Sequence, residues 1–140
     1  MKVTAVLDTN IVVSGIGWRG DCYILLRLLA SKRFLSIRTS QLTEEWSDAL
    51  ARAARLPKWT NHNWANWLEW LKHASNLIDD PPVRPTVKRD PKDDPILAAA
   101  IAARVPYLVT YDKDLLDLGK PYGVQCIRPQ AFLQAVLSSN

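Results

Sequence analysis

Val3-Thr4-Ala5-Val6-Leu7-Asp8-Thr9-Asn10 decides how the rest of the chain is read. Val3 to Leu7 is a short apolar run, rich in β-branched residues, that starts almost at the first residue. That is the pattern of a strand buried on both faces in the middle of a sheet. Such a strand has no packing reason to end in a carboxylate. Asp8 therefore falls at the carboxyl end of a central strand, where open α/β sheets place their ligands. An aspartate there also caps the turn that follows, and from this stretch alone both readings stand.

The chain of 140 residues is about the usual size of one domain, so residues 1–140 are expected to share a single core. Its 48% hydrophobic and 23% charged fractions describe an ordinary globular protein. No apolar run approaches the roughly 18 residues that span a bilayer, and Met1-Lys2 leads into the Asp8 strand, not a signal sequence. A cytoplasmic protein with no membrane contact is expected. Cys22 and Cys126 have no CxxC partner and read as reduced core thiols. His62 and His73, if on one helix, lie about 16 Å apart at 1.5 Å per residue, too far to share a zinc ion. The net charge of +4 favours contact with a polyanion. Within this basic chain the acids gather in a few places, which suits a cation site facing a phosphate backbone.

Onward from Asp8, Gly15, Gly17 and Gly20 with Trp18 and Arg19 read as a flexible connection into a helix from about Asp21 to Lys32. Phe34 to Arg38 is a strand. Ser40 is the expected N-cap of a helix carrying Leu42, Trp46, Ala49, Leu50 and Ala53 on one face. At about 100° per residue Glu45 lies on the flank of that face, while Glu44 points away to solvent. A carboxylate beside a buried face is costly unless something pairs with it, which makes Glu45 a second candidate site residue or the partner of an arginine. A helix from about Asn61 to Asn76 places Trp64, Trp67, Leu68 and Leu71 on one side. The stripe reads as core, with Trp59 and Trp70 as candidate exposed contacts for a protein partner.

Asp79 to Lys92 reads as a surface connection whose Arg84, Lys88, Arg89 and Lys92 either touch phosphate or are solvated. Asp90-Pro91-Lys92-Asp93-Asp94-Pro95 opens an alanine-rich helix to Arg104, with Pro95 at its first position and Asp94 as N-cap. Pro106 to Thr110 is a strand that ends in Tyr111-Asp112-Lys113-Asp114, repeating the logic of Asp8. Val124 to Ile127 is an edge strand, and Pro129 starts a final helix. The alternation predicts an α/β sheet with helices on both faces. In such a sheet strand ends and helix starts converge on one edge, bringing Asp8, Glu45, Asp94 and Asp112 together. Crowded carboxylates repel unless a cation neutralises them or some stay protonated. Hard oxygen ligands without histidine or cysteine point to Mg²⁺ or Mn²⁺.

Leu7-Asp8-Thr9-Asn10, the Glu45 helix, Asp94 followed by Leu97-Ala98-Ala99, and Leu108-Val109-Thr110-Tyr111-Asp112-Lys113-Asp114 together resemble the PIN domain. The resemblance runs from about Lys2 to Phe132 and is to the VapC-like branch, the toxins of toxin-antitoxin pairs. It implies a three-layer α/β/α sandwich around a parallel five-stranded sheet, and a metal-dependent endoribonuclease. By the same resemblance Asp8, Glu45, Asp94 and Asp112 are the catalytic acids. Asp93 and Asp90 stand close enough to leave the third of these open. Thr110, Asp114 and Asn10 are accessory positions. Asp8, Asp94 and Asp112 would ligate one ion, or two about 3.5 to 4 Å apart, while Glu45 orients or deprotonates the attacking water. RNA as substrate, a cognate antitoxin and a homodimer are the partners implied.

Rival readings fare less well. A haloacid-dehalogenase-type phosphatase needs a second aspartate two residues after the first, where this chain has Asn10. A receiver domain wants paired acids after its first strand and a phosphoacceptor aspartate after its third. A housekeeping PIN-type nuclease, or a module that binds RNA or a protein without catalysis, is the remaining alternative. A pure RNA binder has no need to concentrate acids against a polyanion.

Overall fold

The structure, a computed structural model, describes residues 2–82 and 94–139, and of Asp94 only the backbone. Five strands form: β1 (Val3–Leu7), β2 (Phe34–Arg38), β3 (Ser75–Leu77), β4 (Tyr107–Val109) and β5 (Gln125–Ile127). They make one parallel sheet in the order β3-β2-β1-β4-β5, with Val3 beside Phe34 and Ala5 beside Tyr107. Ala5, Val6 and Leu7 are fully buried, as a central strand requires. Among the described residues seven α-helices flank the sheet: α1 (Thr9–Gly17), α2 (Asp21–Ala30), α3 (Ser40–Ala53), α4 (Trp64–Ala74), α5 (Asp94–Ala102), α6 (Lys113–Leu118) and α7 (Pro129–Ser138). Phe132 of α7 wedges edge-on against Phe34 and Tyr107, at 5.0 and 5.6 Å between ring centres, a contact worth about 0.5–1.5 kcal/mol per pair beyond area burial.

Several local expectations need correcting. The glycine-rich stretch after Asp8 is a helix, α1, because its glycines serve packing rather than turning. A Cβ on Gly15 would come within 2.6 Å of Leu26 Cδ1, and one on Gly17 would run into the Trp59 ring. Trp59 is buried rather than exposed, edge-on to Trp18 at 5.4 Å. Thr39, not Ser40, caps α3, its hydroxyl accepting from Leu42 N at 3.1 Å. The expected helix to Asn76 stops at Ala74, and Ser75-Asn76-Leu77 pairs with β2 instead. Its anchor is a buried hydroxyl contact, Ser75 Oγ to Ser36 Oγ at 2.9 Å. Helix α6 was not anticipated at all, and α5 begins at Asp94, one residue before the expected start. Cys22 and Cys126 are buried free thiols, as expected.

Candidate active site

From β1 the chain steps outward to β2 and β3 on one side, and only later to β4 and β5 on the other. The crevice beyond the carboxyl ends of β1 and β4 is therefore the switch point at which doubly wound sheets bind ligands. Asp8 follows β1, and Thr110 and Asp112 follow β4. Main-chain bonds carry the sheet one residue further on each strand: Asp8 N donates to Val109 O and Thr110 N to Ile127 O, both at 2.9 Å.

Asp8 caps the turn that follows it, and its second oxygen is engaged as well. Its Oδ1 accepts from Thr9 N at 2.8 Å and caps α1, while Oδ2 accepts the Thr110 hydroxyl at 2.7 Å. Thr110 is fully buried, and its oxygen accepts in turn from Asp112 N at 2.9 Å. Asp112 caps α6 by accepting from Asp114 N at 2.8 Å. Residues far apart in sequence are thus strung on one hydrogen-bond chain, with a β-branched hydroxyl as its pivot. Burial pushes the Asp8 carboxyl up; the bonds from Thr110 and Thr9 pull it down, and the Asp112 charge pushes it up again. Among the described residues no lysine or arginine acts on Asp8.

Glu45 reaches the same edge from α3. Its side chain is exposed, yet partial burial and then the Asp8 charge hold its carboxyl above the usual range. The Thr9 hydroxyl eases its ionisation, and no arginine among the described residues contributes. That hydroxyl is close enough to be felt but completes no hydrogen bond, leaving Thr9 Oγ1 buried and without a partner among the described residues. Glu44 is exposed, in keeping with the helical wheel. Next along the helix, Trp46 is fully buried and its indole N–H donates to Leu7 O at 3.3 Å, tying α3 to the strand that carries Asp8. Sequence reasoning placed Trp46 in the core without foreseeing that tie, and passed over the Thr9 hydroxyl, since a threonine after a capping acid reads only as a helix start.

Asp94 opens α5, whose Pro95 and Ile96 line a narrow crevice with Thr39, Leu42 and Glu45. The backbone thus brings the start of α5 beside the Glu45 helix. The Asp94 side chain, Asp90, Asp93 and the basic residues Arg84, Lys88, Arg89 and Lys92 lie outside the described residues. Asn10 is exposed in the first turn of α1, and Asp114 sits half-buried in the first turn of α6. Among the described residues no three His, Cys, Asp or Glu side chains come together closely enough to hold a metal ion. Burial, then the Asp8 charge, pushes the Cys126 thiol up to about 11, so it is a neutral neighbour.

A family model of the PIN domain matches residues 4–114, the stretch that contains Asp8, Glu45, Asp94 and Asp112. This chain belongs to the PIN domain family. Among solved structures, this PIN domain is similar to the crystal structure of PAE2754 from Pyrobaculum aerophilum, with a TM-score of 0.66 and 19% identity over 97% of this chain and 90% of that one. At that identity the likeness concerns the fold alone. No curated protein matches the sequence significantly. PIN domains are generally nucleases that act on RNA with divalent metal ions. The sheet order and the acids at its switch point suit a nuclease of this kind.

Proposed function

We propose that this PIN domain is a Mg²⁺- or Mn²⁺-dependent endoribonuclease, formed as a single domain and working as a cytoplasmic homodimer. The observation that carries the reading is the Asp8 carboxylate, clamped by Thr9 and Thr110 and raised by burial and then by the Asp112 charge, with no basic group among the described residues acting on it. The donor set fits a hard divalent cation: carboxylate oxygens from two strand ends, each with lone pairs to spare, beside a buried Thr9 hydroxyl that lacks a partner among the described residues. Asp8 and Asp112 would hold the ion, joined by Asp94 from the start of α5. When bound, such an ion activates water and offsets the charge that develops on the phosphate.

The protein's own groups supply the rest. Glu45, whose carboxyl is held above its ordinary value by burial and by the Asp8 charge, accepts the proton of a water that attacks phosphorus as the bond to the leaving sugar oxygen breaks. Thr110 fixes the Asp8 rotamer and, by donating to it, favours its ionised form. Asp114 and Asn10 border this edge as accessory groups.

The toxin role is part of the same proposal. A cognate antitoxin would seat an amphipathic helix in the groove between α2 and α4, a cavity of about 370 Å³ lined by Leu26, Ala30, Trp67 and Trp70. Trp70 is half-buried there and edge-on to Trp67 at 6.0 Å.

Asp8→Asn keeps the shape and removes the charge, so RNA cleavage should fall by orders of magnitude in a protein that remains folded by circular dichroism. EDTA should abolish cleavage reversibly. Full activity in the variant, or indifference to chelation, sinks the reading.

A further inference from the structure

On the side of α1 remote from Asp8 lies a second groove, of about 260 Å³, lined by Trp18, Arg19, Tyr23, Thr60, Asn61 and Trp67. Its floor is stapled together. Thr60 Oγ1 donates to Gly17 O at 2.7 Å and Asn61 Nδ2 to Ile16 O at 2.9 Å, so the loop before α4 satisfies the last carbonyls of α1. Trp59 fills the space that Gly17 leaves, and its indole donates to Asn61 O at 2.6 Å. The walls are therefore set before anything binds.

The rim is cationic and aromatic. Tyr23 has the Arg19 guanidinium over its ring at 4.8 Å and that of Arg27 at 5.9 Å, and Arg27 also donates to the Tyr23 hydroxyl at 3.1 Å. Neither arginine is paired with a carboxylate among the described residues. Two exposed charges of one sign thus flank a single ring, unpaired with any carboxylate among the described residues, an arrangement that attracts a polyanion. Trp18 and Trp67 stand half-buried beside them with part of each ring open. The Asn61 amide is already spent, its oxygen accepting from Asn63 N at 2.9 Å, so the groove offers ring faces and guanidinium groups but few readers of base edges.

We infer that this groove binds single-stranded RNA, with Arg19 taking a phosphate at its rim, Arg27 taking a second from the adjoining groove between α2 and α4 that it lines, and Trp18 and Trp67 taking unstacked bases. The inference rests on the nuclease reading above and adds to it a substrate path away from the acids. Aromatic faces combined with arginine are the usual platform for single strands and tolerate any base. Asp8 caps one end of α1 and the groove sits at the other, nine residues or about 13 Å along the axis. RNA held by the groove would be drawn past carboxylates that by themselves repel it.

The test is fluorescence anisotropy of a labelled single-stranded oligoribonucleotide with the full chain in EDTA, across a salt series. R19A/R27A should weaken binding and make the slope of log affinity against log salt shallower by about 1.4, at about 0.7 per phosphate contact. Trp18→Ala should lower affinity roughly tenfold with the slope unchanged. Lys120→Ala, which removes a charge in the connection between α6 and β5, should leave the slope as it is. Unchanged affinity and slope in R19A/R27A, with the fold intact, would overturn the inference and leave the arginines to a protein partner. An equal slope change in Lys120→Ala would overturn it too, reducing the effect to net charge. Binding is read without cleavage, so failure of the groove and failure of the nuclease reading are separate results.

Discussion

At the carboxyl ends of β1 and β4, polar side chains are held by one another over short hydrogen bonds: Asp8 by Thr110, Asp112 by its own α6 cap. On the flank made by the end of α1 with α2 and α4, aromatic rings are held by shape, with Gly17 missing a side chain so that Trp59 can fit. The first region keeps charge in a partly dry place, while the second leaves ring faces open to water. The contrast implies different vulnerabilities. Removing a hydroxyl or a charge should disturb the acid edge through its pKa values and leave the fold alone, whereas adding one methyl group should disturb the aromatic flank through the fold itself.

The sharpest probe of the first half is Thr110→Val, which keeps volume and deletes the bond to Asp8. A hydrogen bond to a charged group is worth about 1.5–3 kcal/mol, and without it the Asp8 pKa must rise further. Cleavage should drop, and the acid limb of its pH profile should move to higher pH. A loss of rate with an unmoved profile would mean that Thr110 acts only on folding. On the other flank, Trp70→Ala should cost the antitoxin complex about 2 kcal/mol if the ring is an interface hot spot, while cleavage by the free protein stays close to normal. Calorimetric titration decides it: normal affinity in a folded variant removes Trp70 from the interface.

Gly17→Ala comes next. Helix propensity alone would favour alanine by about 1 kcal/mol, but overpacking against Trp59 costs about 1–3 kcal/mol, so urea denaturation should report a net loss. A stabilised variant would return Gly17 to the flexible role its sequence suggests. The smallest effect is on stability against pH in chelated protein. Below the ordinary value of 3.8 Asp8 is protonated in both states and carries no penalty. Above it the unfolded chain ionises first, so stability falls as pH rises, until the raised folded pKa is passed and the penalty becomes constant. Glu45 adds the same sign from 4.5 upward. The melting temperature of Asp8→Asn should therefore gain on the wild type as pH rises from 4 to 7, and parallel curves would refute the shift.

The acid edge was legible in the sequence because a carboxylate at the end of an apolar strand is anomalous by itself. Asp8 and Asp112 needed no tertiary knowledge, and a helical wheel sufficed to separate Glu45 from Glu44. β1, β2, β4 and the last helix were readable for the same reason, since their apolar runs are strong and local. β3 was not, because Ser75-Asn76-Leu77 has no apolar alternation and is a strand only by virtue of Ser36 and its neighbours. The glycines of α1 misled because glycine marks either a bend or a close approach, and only Leu26 and Trp59, distant in sequence, tell which. Trp59 itself followed from the same unseen contact.

The bond from the Trp46 indole to the Leu7 carbonyl has a consequence for how the molecule loses activity. Glu45 and Asp8 are each one residue from its two ends, so the helix and the strand bearing these acids are pinned at the positions that matter for both. Partial opening of α3 alone would have to expose the fully buried Trp46 and leave a strand-end carbonyl unsatisfied, a cost comparable to that of a larger collapse. Heating should then silence the enzyme and melt its fold in one step, without an interval in which a folded protein has a slackened site.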